Sequence, residues 1–297
     1  MRISGFTFIR NGVLLDYPFV ESIRSMLPLC DEVIVVVATS TDETLQAVVR
    51  IGDARIRIFE HAWDETLRSK GQLLAKLTNE ALRHVTGDWA LYLQADEVLH
   101  ENDLPSIMEA ARRYYTDDDT DGLLFHWYHF VGNYDFIGKP GSRGLYHHEV
   151  RMFKTGRNIF SFGDAQGFRR LKGKEKIQKL NARLIPAYVY HYAKVRGPER
   201  EQLRARAFSR LWHDDQWIAH RFGNQNFEYR FSFPIIPFNG THPAVMHERI
   251  RQRNWPFTPA MARIRIPFRY RLLNALFRLT GWRPFEFRNY RLLPAEG

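Results

Sequence analysis

The chain holds one cysteine, Cys30, so it cannot form an internal disulfide and nothing points to secretion. It lacks a long apolar run: the longest, Val33 to Ala38, falls far short of the ~20 residues a membrane-spanning helix needs. No charged-then-apolar leader opens it, since Arg2 runs into the short mixed stretch Ile3–Ile9. Repeats and low-complexity tracts are absent, which sets aside solenoids and disordered linkers. Glycine is sparse after the first apolar stretch, where Arg10-Asn11-Gly12 offers a single one, so no glycine-rich phosphate loop stands there. Zinc-ligand spacing and an RNA-binding aromatic signature are missing, and from Glu248 onward there is no lysine.

What is present is a large apolar fraction and an uneven charge. Hydrophobic residues make up 44% and aromatics 14% of 297 residues, enough to build a sizeable core and to exclude disorder. At roughly 150 residues per domain the length suits about two domains. The formal charge of +10 calls for an anionic partner: nucleic acid, a membrane surface or a phosphorylated substrate. Its placement narrows the choice. Glu248 to Gly297 carries 11 arginines against 3 glutamates, a net +8 of the +10, and the first two-thirds of the chain is nearly neutral. A second basic cluster, Arg169, Arg170, Lys172, Lys174, Lys176, Lys179 and Arg183, is relieved only by Glu175.

Hydrophobic periodicity predicts strands at Arg2–Ile9, Glu32–Ala38, Arg55–Glu60 and Trp89–Gln94, alternating with helices at Asp16–Leu27, after Ser40-Thr41-Asp42, and at Gly71–His84. Glu32–Ala38 is almost wholly apolar and β-branched, as a strand buried on both faces of a parallel sheet must be. Strand–helix alternation means an α/β fold with a mostly parallel or mixed central sheet flanked by helices. Further on, the patterns predict a helix at Asp103–Tyr115 and an aromatic-rich strand at Gly122–Val131. A long loop should follow over Gly132–Gly144, then strands at Tyr146–Lys154 and Ala187–Tyr192, and a helix at Pro198–His213. The expected division is a catalytic domain over 1–213, with halves 1–100 and 101–213, and a basic, partly helical C-terminal extension over 214–297.

In open α/β sheets ligands bind outside the carboxyl ends of the strands. Three such ends carry polar groups: Thr7, Arg10 and Asn11; then Thr39, Ser40, Thr41 and Asp42; then Gln94-Ala95-Asp96-Glu97. Asp96 and Glu97 at the end of an apolar strand offer hard oxygens of the kind that hold Mg²⁺ or Mn²⁺ together with substrate phosphates. An isolated Asp-Glu pair more often caps the next segment.

Residues 1–100, with Ser40-Thr41-Asp42-Glu43-Thr44 after the second strand and Gln94-Ala95-Asp96 after the fourth, resemble a bacterial family 2 glycosyltransferase with the A-type nucleotide-sugar-binding fold. Phe162-Gly163-Asp164-Ala165-Gln166-Gly167-Phe168-Arg169, Tyr190-His191-Tyr192 with Val195-Arg196, and Leu211-Trp212-His213 extend the resemblance over most of the chain. Two departures stand out. Val37-Ala38 replaces the acidic pair many members use for base and ribose, and Gln94 replaces the first Asp of the Asp-x-Asp motif. An amide can hydrogen-bond a ribose but cannot ligate metal as a carboxylate does.

The resemblance implies Thr7, Arg10, Asn11, Thr39, Asp42 and Gln94 at the nucleotide, and Asp96 with His191 at a divalent metal, Mn²⁺ or Mg²⁺. Lys194 and Arg196 follow as diphosphate contacts. It also implies an acid as general base. Asp164, between Gly163 and Gly167, is the first candidate and Glu149 the second; either is also open to a plain salt bridge, Glu149 in the neighbourhood of Arg151. Trp127, Tyr128, Phe130 and Tyr134 read as aromatic core before acceptor stacking, and His126, His129, His147 and His148 lack trustworthy ligand spacing.

Phe268–Leu279 sets Phe268, Leu272 and Leu276 at spacing four, flanked by Arg269, Arg271 and Arg278. Such a stripe suits either an ordinary helix packed on the domain or a membrane-surface element. The expected activity is transfer of a sugar from a nucleotide-sugar donor, a UDP-sugar foremost, to a glycan or lipid-linked acceptor of cell-surface polysaccharide or lipopolysaccharide synthesis. That places the protein in the cytoplasm, peripheral on the inner face of the cell membrane, in contact with anionic lipid and not with nucleic acid. A nucleotidyltransferase and a nucleic-acid-binding protein are the competing readings.

Overall fold

The computed structural model describes residues 1–64, 66–67, 71–173, 176–223 and 227–294. Lys174 and Glu175 of the second basic cluster lie outside the described residues. The first half runs β1 (Ile3–Ile9), α1 (Phe19–Met26), β2 (Glu32–Ala38), α2 (Thr44–Val49), β3 (Ile56–His61), α3 (Gln72–Leu82), β4 (Trp89–Tyr92) and β5 (Glu97–Leu99). Then come α4 (Leu104–Arg113), β6 (Gly122–Gly132), β7 (Phe136–Gly138), β8 (His148–Lys154), β9 (Ile159–Ser161), β10 (Phe168–Lys172) and β11 (Lys176–Val195). The chain continues through α5 (Pro198–Ser209), α6 (Asp215–Phe222), β12 (Tyr229–Phe231), β13 (Ile235–Pro237), α7 (His247–Arg251), β14 (Ala262–Ile264), α8 (Phe268–Thr280) and β15 (Tyr290–Leu292).

One mixed sheet carries the fold, with strands in the order β3-β2-β1-β4-β8-β6-β11-β10-β9. The first four are parallel, β8 lies antiparallel between β4 and β6, and β6 and β11 are again parallel. β2 explains why both faces are covered. Val33, Val35 and Val37 pack into one core with Ile23, Leu91 and Ile107, while Ile34, Val36 and Ala38 pack into the other with Leu73, Leu77 and Tyr92. A β-branched run alternating between two cores has no wet face, and that holds the sheet between helices.

The early strand and helix expectations match within a few residues. The later ones change more. The expected strand Ala187–Tyr192 is part of a 20-residue strand, β11, bent at register shifts between Leu184 and Tyr188 and between His191 and Lys194. The expected loop Gly132–Gly144 contains β7, which pairs with β13. The stretch after His213 is not simply helical: among its described residues β12, β13, β14 and β15 accompany three α-helices, and β15 joins β11 in parallel. No helix of the described residues is long and apolar enough to cross a membrane.

Because β1, β2 and β4 are parallel, the segments after them, Arg10–Asn11, Thr39–Asp42 and Gln94–Asp96, emerge at the same edge of the sheet. β5 then turns back antiparallel to β11, pairing Glu97 with His191, and the Tyr192 N–H donates to the Asp96 carbonyl at 2.8 Å. This pairing brings His191, nearly a hundred residues away in sequence, to the end of β4.

Candidate active site

A cleft of about 310 Å³ lies over the ends of β4 and β11. Gln94, Asp96, Asp164, His191 and Lys194 all line it, joined by Tyr17, Arg151, Gln166 and Arg204. Asp96 Oδ1 stands 3.7 Å from His191 Nε2, and both side chains are nearly buried.

The hydrogen bonds around His191 decide which of its nitrogens carries the lone pair. Burial pushes His129 down to about 3 and His191 down to about 4, with the Lys194 charge adding in both, so both rings are neutral at physiological pH. His129 Nε2 faces the Tyr146 carbonyl at 3.0 Å and must donate there, which leaves Nδ1 of His129 as an acceptor. His191 Nδ1, 3.0 Å away, therefore donates to it, and the lone pair of His191 sits on Nε2, towards Asp96. A ring oriented through its second N–H and offering a lone pair beside a carboxylate is what a metal-ligating histidine needs. Burial raises the Asp96 carboxyl, against the opposing charges of Arg196, Arg204 and Arg151.

Glu97 belongs to the same three-residue cluster, with ligand atoms within 4.8 Å of one another, but its carboxylate is already engaged. Arg151 Nε and Nη2 hold its two oxygens at 2.7 and 2.8 Å, fully inside the protein, and Gln94 N–H donates to it at 3.1 Å. Of the three, Asp96 and His191 are the two that line the cleft, as the resemblance implied, while Glu97 stands behind them on Arg151. Arg151 also lies over the rings of Trp127 (4.7 Å) and Tyr92 (5.4 Å) and donates to the Gln166 carbonyl at 3.0 Å.

Asp164 is carried on a tight loop in which Gly163 and Ala165 both have left-handed backbone, φ +61°. Gln94 Nε2 donates to the Ala165 carbonyl at 3.2 Å, so the residue replacing the motif's first acid ties this loop to the end of β4. Gly71, just before α3, passes so close that a Cβ there would lie 2.8 Å from Asp164 Cβ. Glu149 is placed differently. It is buried outside this cleft, accepts from Gln166 at 3.2 Å and Asn289 at 3.1 Å, and leaves Oε2 without a hydrogen-bond partner. Burial raises its carboxyl to about 7, outweighing the nearby Arg151 charge. It forms no ion pair with Arg151, whose partner is Glu97.

The nucleotide-side residues divide. Arg10 and Asn11 line a neighbouring cleft of about 320 Å³ with Thr41, Trp63 and Arg210. The Arg10 guanidinium stacks on Trp63 at 4.2 Å and donates from Nε to the Thr39 carbonyl at 3.1 Å. Asn11 Oδ1 accepts from the Thr41 N–H at 2.8 Å. Asp42 accepts from the N–H groups of Leu14 (2.6 Å) and Thr44 (3.1 Å), so it braces the loops and does not face the cleft. Thr7 is buried within β1, and the Thr39 hydroxyl donates to the His61 carbonyl at 3.4 Å.

Among the cations, Lys194 reaches the cleft, and burial lowers its pKa with Arg204 adding to the effect. Arg196 does not reach it. It is 0% exposed, donates to the carbonyls of Leu15 (2.7 Å) and Ala193, and lies 3.5 Å from Glu201. The register shift between His191 and Lys194 lets both line the cleft, while Arg196, just past the end of β11, is held by the Leu15 and Ala193 carbonyls. Besides Arg151, which Glu97 holds, the cleft also has Arg204, paired with Glu201, which sequence reasoning missed. It sits on α5, whose Leu203, Arg206 and Ala207 line the Arg10–Trp63 cleft while Arg204 and Phe208 line the other. Trp63 stands two residues past the end of β3, at the same sheet edge as Thr39, and the helix expected over Pro198–His213 carries no mark in sequence of which face meets the cleft.

The family model of glycosyl transferase family 2 matches residues 17–172, just over half of the chain. The chain belongs to glycosyl transferase family 2. This glycosyltransferase's mixed sheet flanked by helices is the architecture the sequence led one to expect, while the C-terminal stretch is mixed in structure. No curated protein matches it in sequence. Solved structures similar to it include S. aureus TarS 1–349, 16% identical over 75% of this chain and 69% of that one, with TM-score 0.42. Another is the mannosyltransferase PcManGT of Pyrobaculum calidifontis with GDP-Man and Mn²⁺, 24% identical over 41% and 34%, TM-score 0.31. A third is glucosyl-3-phosphoglycerate synthase of Mycobacterium tuberculosis with Mg²⁺ and UDP, 20% identical over 43% of each chain, TM-score 0.29.

Proposed function

We propose that this family 2 glycosyltransferase carries out a metal-dependent, inverting transfer of a sugar from a nucleotide-sugar, a UDP-sugar foremost, to a glycan or lipid-linked acceptor of the cell envelope. One observation carries the reading: Asp96 Oδ1 and the lone-pair nitrogen of His191 stand 3.7 Å apart in a cleft that Asp164 and Lys194 also line. Asp96 and His191 would hold Mn²⁺ or Mg²⁺, which when bound neutralises charge on the diphosphate leaving group. Lys194 and Arg204 meet the diphosphate oxygens, and Arg10 with Trp63 offers the base a flat cationic surface. Asp164, on the loop that Gln94 ties down through the Ala165 carbonyl, takes the proton of the acceptor hydroxyl as it attacks the sugar. Glu149, buried behind Gln166, holds the loop on which Asp164 sits.

Nucleotide sugars screened by thermal shift test this reading: a UDP-sugar is expected to raise the melting temperature only when Mn²⁺ is present. Asp164→Asn is expected to lower kcat by about 10²–10⁴-fold with the metal-dependent shift intact. Full turnover in that variant would remove Asp164 as the base.

The membrane part of the proposal rests on α8 and the residues after it. α8 buries none of its residues, and Phe268, Leu272, Leu279, Trp282, Phe285 and Phe287 are largely exposed, Phe285 at 92%. Arg269, Arg271 and Arg278 stand exposed among them, each worth ~1 kcal/mol near anionic lipid. This face supports peripheral docking on the cytoplasmic side of the membrane. The full chain is expected to sediment with vesicles of 20% phosphatidylglycerol in phosphatidylcholine and to be released by Phe285→Ser/Leu279→Ser. Equal sedimentation of the double variant would reject the contact.

A further inference from the structure

A second cavity, of about 610 Å³, lies between the Gly144–Glu149 segment on one side and α8 with Phe285–Phe287 on the other. Gly144, Leu145 and Tyr146 line both this cavity and the Asp96–His191 cleft, so a ligand here lies across a single segment of chain from the proposed metal and base.

Its chemistry is uneven. Arg143 lines it while only 8% exposed, and Nε and Nη2 of its guanidinium are buried with no hydrogen-bond partner. Buried guanidinium N–H groups without acceptors are costly, and a ligand that supplies oxygens is one way to meet that cost. The acids nearby do not supply them. Glu286 is held by Arg283 and Arg288 and approached by His147 at 3.7 Å. The hydrogen bonds to Glu149 come from Gln166 and Asn289. Arg269, on α8, adds a second cation to the lining, and it has no ion pair among the described residues. Around these charges the walls are apolar or aromatic: Leu272, Tyr270, Phe285 and Phe287.

We infer that this cavity is the acceptor site and that its ligand is a phosphate-bearing saccharide, whose phosphate the Arg143 fork and Arg269 bind while the aromatic rings pack on the sugar. Two guanidinium groups suit a phosphate, near two negative charges at neutral pH, better than a single carboxylate. The assignment as acceptor rests on the transferase reading above; the anion site itself does not. The phosphate has two sources, the headgroup of a lipid-linked sugar or a soluble phosphorylated sugar. The exposed rings of Phe285 and Phe287 at the cavity make the lipid-linked source geometrically accessible.

The test uses the full chain with three probes: glucose 1-phosphate, glucose, and vesicles of 20% phosphatidic acid in phosphatidylcholine, each measured against wild type, Arg143→Gln and Arg143→Lys. Wild type is expected to bind glucose 1-phosphate or the vesicles, and not glucose, with binding about tenfold weaker in Arg143→Gln and partly kept in Arg143→Lys. Dependence on Arg143 with the vesicles alone identifies a lipid headgroup; dependence with the sugar phosphate alone identifies a soluble acceptor. Arg143→Gln leaving the binding of both phosphate probes unchanged, or no binding of either phosphate probe to wild type, overturns the site. UDP–Mn²⁺ binding measured on the same samples separates the two failures. Its loss with Arg143-dependent phosphate binding intact would sink the transferase reading alone, and the converse would sink only the acceptor site. Arg143→Lys guards against misfolding, since it keeps the charge and most of the packing.

Discussion

Asp96→Asn is expected to lower sugar transfer by about 10³-fold and to abolish the Mn²⁺ dependence of nucleotide-sugar binding. Asparagine keeps the shape and one acceptor oxygen but not the charge. The several kcal/mol by which a metal stabilises a diphosphate leaving group would then be lost, and about 4 kcal/mol corresponds to that factor. Folding should not suffer. The Asp96 carboxyl is raised by burial, so its charged form is less favourable in the native state than in the unfolded chain. A carboxylate with a raised native pKa contributes stability at low pH that falls away as pH rises through that pKa. Removing the charge is therefore expected to leave the melting temperature at pH 7.5 equal to or above that of wild type. Steady-state transfer and thermal shifts with and without Mn²⁺ check both halves; transfer at wild-type rate with the metal-dependent shift retained would refute the metal assignment. His191→Ala should act in the same direction with a smaller loss, because it removes a neutral ligand.

The largest effect on stability is expected from the Glu97–Arg151 pair. Both groups are inside the protein, Arg151 at 1% and Glu97 at 0%, and the two bonds are short and bidentate. Arg151→Met leaves the Glu97 charge buried without its counter-ion, which costs about 3–5 kcal/mol. In a chain of this size that should lower the melting temperature by roughly 10 °C. The double change Glu97→Gln/Arg151→Met removes both charges and is expected to regain most of the loss, since an intact buried pair is itself close to neutral against an uncharged replacement. Urea unfolding of these two variants and of Glu97→Gln alone gives the coupling directly. Arg151→Met within 1 kcal/mol of wild type would show that Glu97 finds another partner. Arg151 also donates to the Gln166 carbonyl on the Asp164 loop, so the single variant should lose turnover beyond what its lowered stability explains.

Legibility in the sequence followed how local each signal was. Strand β2 was readable to the residue because a β-branched run without polar interruption has few other places to go. Asp96 could be found because it ends an apolar strand, and the positions after β1 and β2 because parallel strands must deliver them to one edge. The basic tail showed its sign but not its structure: β15 rejoins the sheet through backbone hydrogen bonds to β11, and Arg249 pairs with Asp16 and Glu21 near the start of the chain. Arginine counts carry no information about such partners.

By itself the sequence determined the α/β sheet, its direction, the strand ends that hold Asp96 and Asn11, and the family. These depend on periodicity and on contiguous residues. Only the tertiary structure decided which carboxylate opens on the cleft and which is locked away. Asp96 and Glu97 are neighbours in sequence, yet the turn into β5 sends one towards His191 and the other onto Arg151, fifty-four residues on. It also decided that Arg204 and not Arg196 stands with Lys194, because Arg196, just past the end of β11, is tied to the Leu15 and Ala193 carbonyls while α5 brings Arg204 over the cleft. Alternation along a strand can be read from a sequence; where it is interrupted depends on what packs against it.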